Sequence, residues 1–107
     1  GVRFIVTPAS QQVAADAAAE GLMEVFMRAG AMVTAAGCGV CAAGRIGGVA
    51  SGEVSIGTGT RNEPGRLGAH DAVLHIAGPA TVAASAVAGA IADPRPFLRE
   101  AAWGMAA

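Results

Sequence analysis

Five of the twelve residues from Gly37 to Gly48 are glycine: Gly37, Gly39, Gly44, Gly47 and Gly48. No stable helix survives that density, because each glycine gives up more backbone freedom on ordering than any other residue. The middle of the chain must run as loop, and regular structure has to gather on either side of it. Glycines also let a backbone approach a ligand closely, so this loop is the first place to look for chemistry.

Upstream of the loop, Val2 to Thr7 is short, rich in β-branched and aromatic residues, and ends at Pro8, the pattern of a buried strand. Ser10 is placed to cap a helix predicted from Gln11 to Arg28, and Gly30 to close it. Asp16, Glu20, Glu24 and Arg28 recur every four residues along one solvent face, Glu24 and Arg28 as a favourable pair, while Val13, Ala17, Leu22, Val25 and Phe26 cover the other. A second strand is expected at 31–34, a third at 54–56 and a fourth at 72–76. Gly78-Pro79 opens a last helix, predicted to reach Ala92 before Asp93-Pro94 stops it. Alternating strands and helices imply an α/β fold, a three-layer domain in which a small, mostly parallel sheet is covered by helices. Residues 1–107 fit a single domain, and the start at Gly1 rather than methionine leads us to expect a piece of a larger subunit. Hydrophobic residues make up 53% of the chain, but much of that is alanine, so the core should be thin.

Seven arginines, no lysine and a net charge of -1 give no basic field for neutralising phosphates, which argues against nucleic acid and anionic membrane as partners. The N-terminus lacks the charged and apolar regions of a signal peptide, and no eighteen-residue apolar run occurs, so a cytoplasmic location is expected. In that compartment two cysteines favour metal or redox chemistry over a structural disulfide.

Cys38-Gly39-Val40-Cys41 spaces two thiolates to share one metal centre within a loop that can wrap it. A thioredoxin-like pair would need a sound helix after the cysteines, and 42–48 is a poor one. Zinc would need four ligands, for which His70 and His75 are candidates, although a lone histidine in the apolar stretch 72–76 is more often a core or edge residue. Spacing alone leaves iron-sulfur, zinc, redox and inert readings open. Arg61-Asn62-Glu63-Pro64-Gly65-Arg66 is the second constellation: two guanidinium forks in a turn-rich loop, suited to a di- or tricarboxylate, or else two solvated arginines with one paired to Glu63. Gly57-Thr58-Gly59-Thr60 lacks the lysine and spacing of a phosphate loop.

Taken in order, these segments resemble the third domain of the aconitase superfamily, from about Thr7 to Arg95. Pro8-Ala9-Ser10-Gln11-Gln12-Val13 resembles its Pro-Gly-Ser-x-x-Val turn, and Ala19-Glu20-Gly21-Leu22 with Phe26 and Ala29-Gly30 its next helix. Gly37-Cys38-Gly39-Val40-Cys41 looks like the Gly-Cys-x-x-Cys cluster loop; Gly52-Glu53, Thr60-Arg61-Asn62 and Gly65-Arg66 follow as in the family. Gly78-Pro79-Ala80, Ala83-Ala84-Ser85-Ala86 and Ala92-Asp93-Pro94-Arg95 complete the series. The residues after Cys41 lack the Ile-Gly-Gln-Trp run of aconitase proper, and Gly65-Arg66-Leu67-Gly68 is more similar to the isopropylmalate branch.

The resemblance implies a [4Fe–4S] cluster held by three cysteines, of which Cys38 and Cys41 match two and the third lies outside this chain. It implies a hydro-lyase acting on a hydroxy-carboxylate, with Arg61 and Arg66 on substrate carboxylates and Asn62 between them. The catalytic acid–base residues would come from the remaining domains of the large subunit and from a small swivelling subunit or domain, and none lies here. The family has asparagine where this chain has Thr60 and phenylalanine where it has Glu63. A glutamate beside two carboxylate-binding arginines opposes anion binding.

Overall fold

The computed structural model describes residues 2–44 and 46–98. Its elements run β1 (Ile5–Val6), α1 (Gln11–Ala19), α2 (Leu22–Arg28), β2 (Met32–Val33), β3 (Val54–Gly57), β4 (Val73–Ile76) and α3 (Pro79–Ala88), followed by a 3-10 turn at Arg95–Phe97. The α/β class and the parallel pairing expected from the sequence both hold. β1, β2 and β4 are shorter than expected and β3 is one residue longer, and they form two two-stranded parallel sheets, β1 with β2 and β3 with β4.

The first sheet is one βαβ unit. Ser10 caps α1 as expected, its hydroxyl accepting the Val13 N–H at 3.1 Å. The predicted single helix breaks in two, however, because Gly21 takes a left-handed conformation (φ 78) after Glu20, and its N–H turns back to Ala18 O at 3.1 Å. The four-residue charge repeat therefore does not lie along one continuous helix face. The Glu24–Arg28 pair of the repeat survives at 2.8 Å, while Asp16 instead accepts from Gln12 Nε2 at 2.9 Å. The expected apolar face is also rotated. Ala14, Ala17, Met23 and Phe26 are half-buried, whereas Val13, Leu22 and Val25 are exposed. Gly30 ends α2 as expected, with Gly30 N–H on Met27 O and Ala31 N–H on Phe26 O, which turns the chain into β2. The Phe26 ring meets Phe4 edge-on at a centroid distance of 6.5 Å, fixing α2 against the start of β1.

In the second sheet Val54, Ser55, Ile56 and Gly57 pair with Val73, Leu74, His75 and Ile76. Parallel neighbours need a crossover of a dozen or more residues, usually helical. Here the crossover is irregular from 58 to 72 and carries both arginines of the second constellation. Its far end is pinned by a parallel bridge between Val49 and Gly68, in which Val49 N–H reaches Leu67 O at 2.9 Å and Ala69 N–H reaches Val49 O at 3.0 Å. α3 packs on β3. It ends at Ala88 rather than Ala92, because Gly89 turns left-handed (φ 78) with its N–H on Ser85 O; buried Ser85 also donates to Thr81 O at 2.7 Å and accepts the Ala92 N–H at 3.0 Å, holding 90–92 over the last turn. Among the described residues the buried core is as thin as expected: Val49, Ala84, Ser85 and Pro8. Large apolar side chains stand in the open on both sheets and on α3, among them Val54 at 64% and Val87 at 76% exposure.

Candidate metal and carboxylate site

Both strands of the first sheet run into the same corner. At their carboxyl ends the Thr7 and Thr34 hydroxyls meet at 2.6 Å, and the Gly37 N–H binds Pro8 O at 3.0 Å, so the glycine loop leaves the sheet at a fixed point. Ligands of open parallel sheets sit at this end of the strands. Gly39 presses its Cα against Thr7. A Cβ there would lie 2.7 Å from Thr7 Oγ1 and 2.9 Å from its Cβ, and the residue has φ 60, so both space and conformation demand glycine. With Gly39 so placed, Cys38 and Cys41 turn to one side of the loop, their Cα atoms 5.8 Å apart and their sulfurs joined in a disulfide.

Cys38 and Cys41 are thus paired with each other, where the sequence reading favoured metal or redox chemistry over a structural disulfide. The spacing that brings two thiolates onto one metal also brings two thiols within reach of each other, and each sulfur is a ligand only when reduced. Neither histidine joins them: among the described residues no group of three or more histidine, cysteine, aspartate or glutamate side chains is placed to hold a metal ion. His75 lies exposed in β4, and the His70 ring lies against Gly65.

Arg66 does join them. Its Nε donates to the Cys41 carbonyl at 2.7 Å across twenty-five positions of sequence, in a half-buried contact. Arg61 lies farther out, 61% exposed, with its Nη2 at 3.0 Å and its Nε at 3.4 Å from the Glu63 carboxylate. The same carboxylate stands 3.8 Å from Arg66 Nη1, so Glu63 lies between the two guanidinium groups. A backbone hydrogen bond and then the Arg61 bond hold Glu63 below the ordinary glutamate pKa. Asn62 donates its side-chain amide to Leu74 O at 3.3 Å, tying the loop to β4. Sequence reasoning named one arginine paired with Glu63 as the alternative to substrate binding, and that pair is present as Arg61–Glu63. It missed Thr7 as the seat of the glycine loop and the Arg66–Cys41 link, and no local spacing signals either.

A family model described as the aconitase family (aconitate hydratase) matches residues 1–89. The chain belongs to the aconitase family. Among curated relatives it is 53% identical over 98 residues to "3-isopropylmalate dehydratase large subunit 2" of Archaeoglobus fulgidus, covering 92% of this chain and 24% of that protein. It is 52% identical over 100 residues to "3-isopropylmalate dehydratase large subunit" of Mycolicibacterium smegmatis, covering 94% of this chain and 24% of that protein. Over 94 residues it is 47% identical to "Probable methanogen homoaconitase large subunit" of Methanothermobacter thermautotrophicus, covering 88% of this chain and 22% of that protein. The resemblance drawn from the motifs, to the aconitase superfamily and its isopropylmalate dehydratase large-subunit type, therefore holds. The chain spans about a quarter of the length of the curated relatives it matches. No helix among the described residues is long and apolar enough to cross a membrane.

Proposed function

We propose that this chain is one domain of the large subunit of an aconitase-family hydro-lyase, which dehydrates and rehydrates a 2- or 3-hydroxy di- or tricarboxylate such as isopropylmalate. The observation that carries the reading is the Arg66–Cys41 contact at 2.7 Å, which draws a carboxylate-binding loop and a Cys-x-x-Cys loop to one place. Two sulfurs already converged on one side of a glycine loop suit an iron-sulfur cluster, which takes thiolate donors. Reduced Cys38 and Cys41 are two of its ligands, and the third comes from the part of the subunit outside this chain. Such a cluster, when bound, supplies Lewis acidity at the substrate hydroxyl and a carboxylate. Arg61 and Arg66 hold substrate carboxylates through paired N–H donors, and Asn62 keeps their loop on β4. The acid–base groups belong to the remaining domains and to a small partner subunit. The open apolar faces of the two sheets and α3 agree with a domain that is covered in a larger protein.

A non-catalytic cluster-binding module is the second reading, favoured by Glu63, which already pairs with Arg61. Steady-state kinetics of the complete enzyme with Arg61→Lys decides between them. Lysine keeps the charge and loses the fork, so an arginine holding a carboxylate should show a loss in kcat/KM of about tenfold to a hundredfold. A change under about fivefold removes Arg61 from substrate binding.

A further inference from the structure

The half-buried contact between Arg66 and Cys41 calls for a role that carboxylate binding does not use. Arg66 directs Nε, not its outer nitrogens, to the Cys41 carbonyl. Its side chain is 31% exposed where that of Arg61 is 61%, so the two arginines of the loop are not equivalent. The backbone around Arg66 is itself fixed: Arg66 N–H binds Glu63 O at 2.9 Å, and the residues just after it are tied to Val49. An anchored guanidinium on one loop therefore grips the peptide carbonyl of a cysteine on another. A hydrogen bond from a charged donor is about twice as strong as one between neutral groups, and burial strengthens it further.

We infer that Arg66 is a positioning residue for the Cys38–Cys41 loop, holding the Cys41 peptide so that both sulfurs face one point, while its outer nitrogens stay available to a carboxylate. The inference rests on the functional reading for the identity of the metal centre, but not for the loop geometry. Cys38 is tethered close by through Gly37 N–H on Pro8 O and the Gly39 contact with Thr7. Cys41 lies beyond that tether, and Arg66 supplies its own.

Two measurements on the full-length subunit test this. The first is the dithiol–disulfide equilibrium of Cys38 and Cys41 in the metal-free protein against a glutathione buffer, which reads how well the loop presents one sulfur to the other. The second is the rate at which the reconstituted protein yields its cluster to a chelator, followed by the visible charge-transfer absorption. Arg66→Lys and Arg66→Ala should each shift the equilibrium toward the dithiol by about tenfold and speed cluster release by about tenfold. Arg61→Lys, which removes a fork from the same loop without touching Cys41, should match wild type in both. An unchanged dithiol–disulfide equilibrium in both Arg66 variants overturns the proposal. So does a shift accompanied by an equally large fall in the thermal midpoint of the metal-free protein, since that marks general unfolding rather than loop positioning. If the wild-type subunit takes up no iron, the functional reading fails, and the equilibrium still decides the role of Arg66.

Discussion

Replacing Gly39 with alanine tests the seat of the glycine loop most directly. The new Cβ would fall 2.7 Å from Thr7 Oγ1 and 2.9 Å from Thr7 Cβ, closer than bonded neighbours aside any carbon is found. Thr7 cannot swing away freely, because its hydroxyl is held at 2.6 Å by Thr34 in a half-buried pair. Two costs combine. Holding an L-residue at φ 60 costs roughly 1–2 kcal/mol, and losing the Thr7–Thr34 bond costs roughly another 1 kcal/mol. The total of about 2–3 kcal/mol corresponds to a fall of roughly 10–20 °C in thermal midpoint for a domain of this size.

Gly59→Ala is the matched control, since no atom lies within 4 Å of its added Cβ and its backbone is not left-handed. It should unfold within about 0.5 kcal/mol of wild type. Thermal and urea unfolding followed by circular dichroism measures both variants. A double-mutant cycle with Thr7→Ala then isolates the clash: the double variant should be less destabilised than the sum of the singles by at least about 0.5 kcal/mol. Equal midpoints for Gly39→Ala and Gly59→Ala, or strict additivity in the cycle, would refute the claim that the loop is seated on Thr7.

In the complete enzyme Cys38→Ser or Cys41→Ser should abolish the bound iron while leaving the far-ultraviolet circular dichroism intact, since a loop ligand contributes little to the core; metal analysis checks this. Ser85→Ala should cost about 1–2 kcal/mol in urea unfolding, because Ser85 is buried and both bonds that fold 90–92 onto α3 are lost. The Glu63 carboxylate is held below its ordinary pKa by a backbone hydrogen bond and by Arg61. Its folded value lies under its unfolded one, so its stabilisation is present above the unfolded value, about 4.3, and is lost as pH falls through the folded value. The difference in urea midpoint between wild type and Glu63→Gln should thus be constant from about pH 6 to 8 and shrink below about pH 4.

What the sequence disclosed was the chemistry of short segments. Two cysteines two residues apart and two arginines in a turn announce what they can bind wherever they lie, and Ser10 and Gly30 announce helix ends by local hydrogen bonding. Tertiary choices were less legible. Gly21 sits in an alanine-rich run in which helix continuation and a left-handed stop are closely balanced; the stop is taken, and α2 beyond it lays Phe26 edge-on against Phe4. The end of α3 was misplaced at a similar glycine: Gly89 reads as one more small residue in an apolar run, yet it takes the left-handed conformation that stops the helix. The Arg66–Cys41 bond spans twenty-five positions and has no periodicity to betray it. Pairing was legible in sense but not in partition, since four short apolar runs say nothing about which neighbours they choose.

The two sheets treat their crossovers differently, and that difference brings the two constellations together. Between β1 and β2 the chain spends its crossover on two helices, so the glycine loop can only follow β2 and emerge at the carboxyl end of the pair. Between β3 and β4 the crossover has no helix, and its length is free to reach outward with both arginines. A long irregular crossover would be a poor carrier of a binding group unless it were fixed at several points, because loop residues keep most of their freedom. Among the described residues several ties fix it, three of them near the arginines. Asn62 ties it to Leu74, the Val49–Gly68 bridge closes its far end, and Arg66 reaches across to Cys41. The first holds the loop to β4, and the second ties it to the residue that follows the glycine loop. The third reaches the peptide of Cys41 itself, so the Arg66 guanidinium links the two constellations directly.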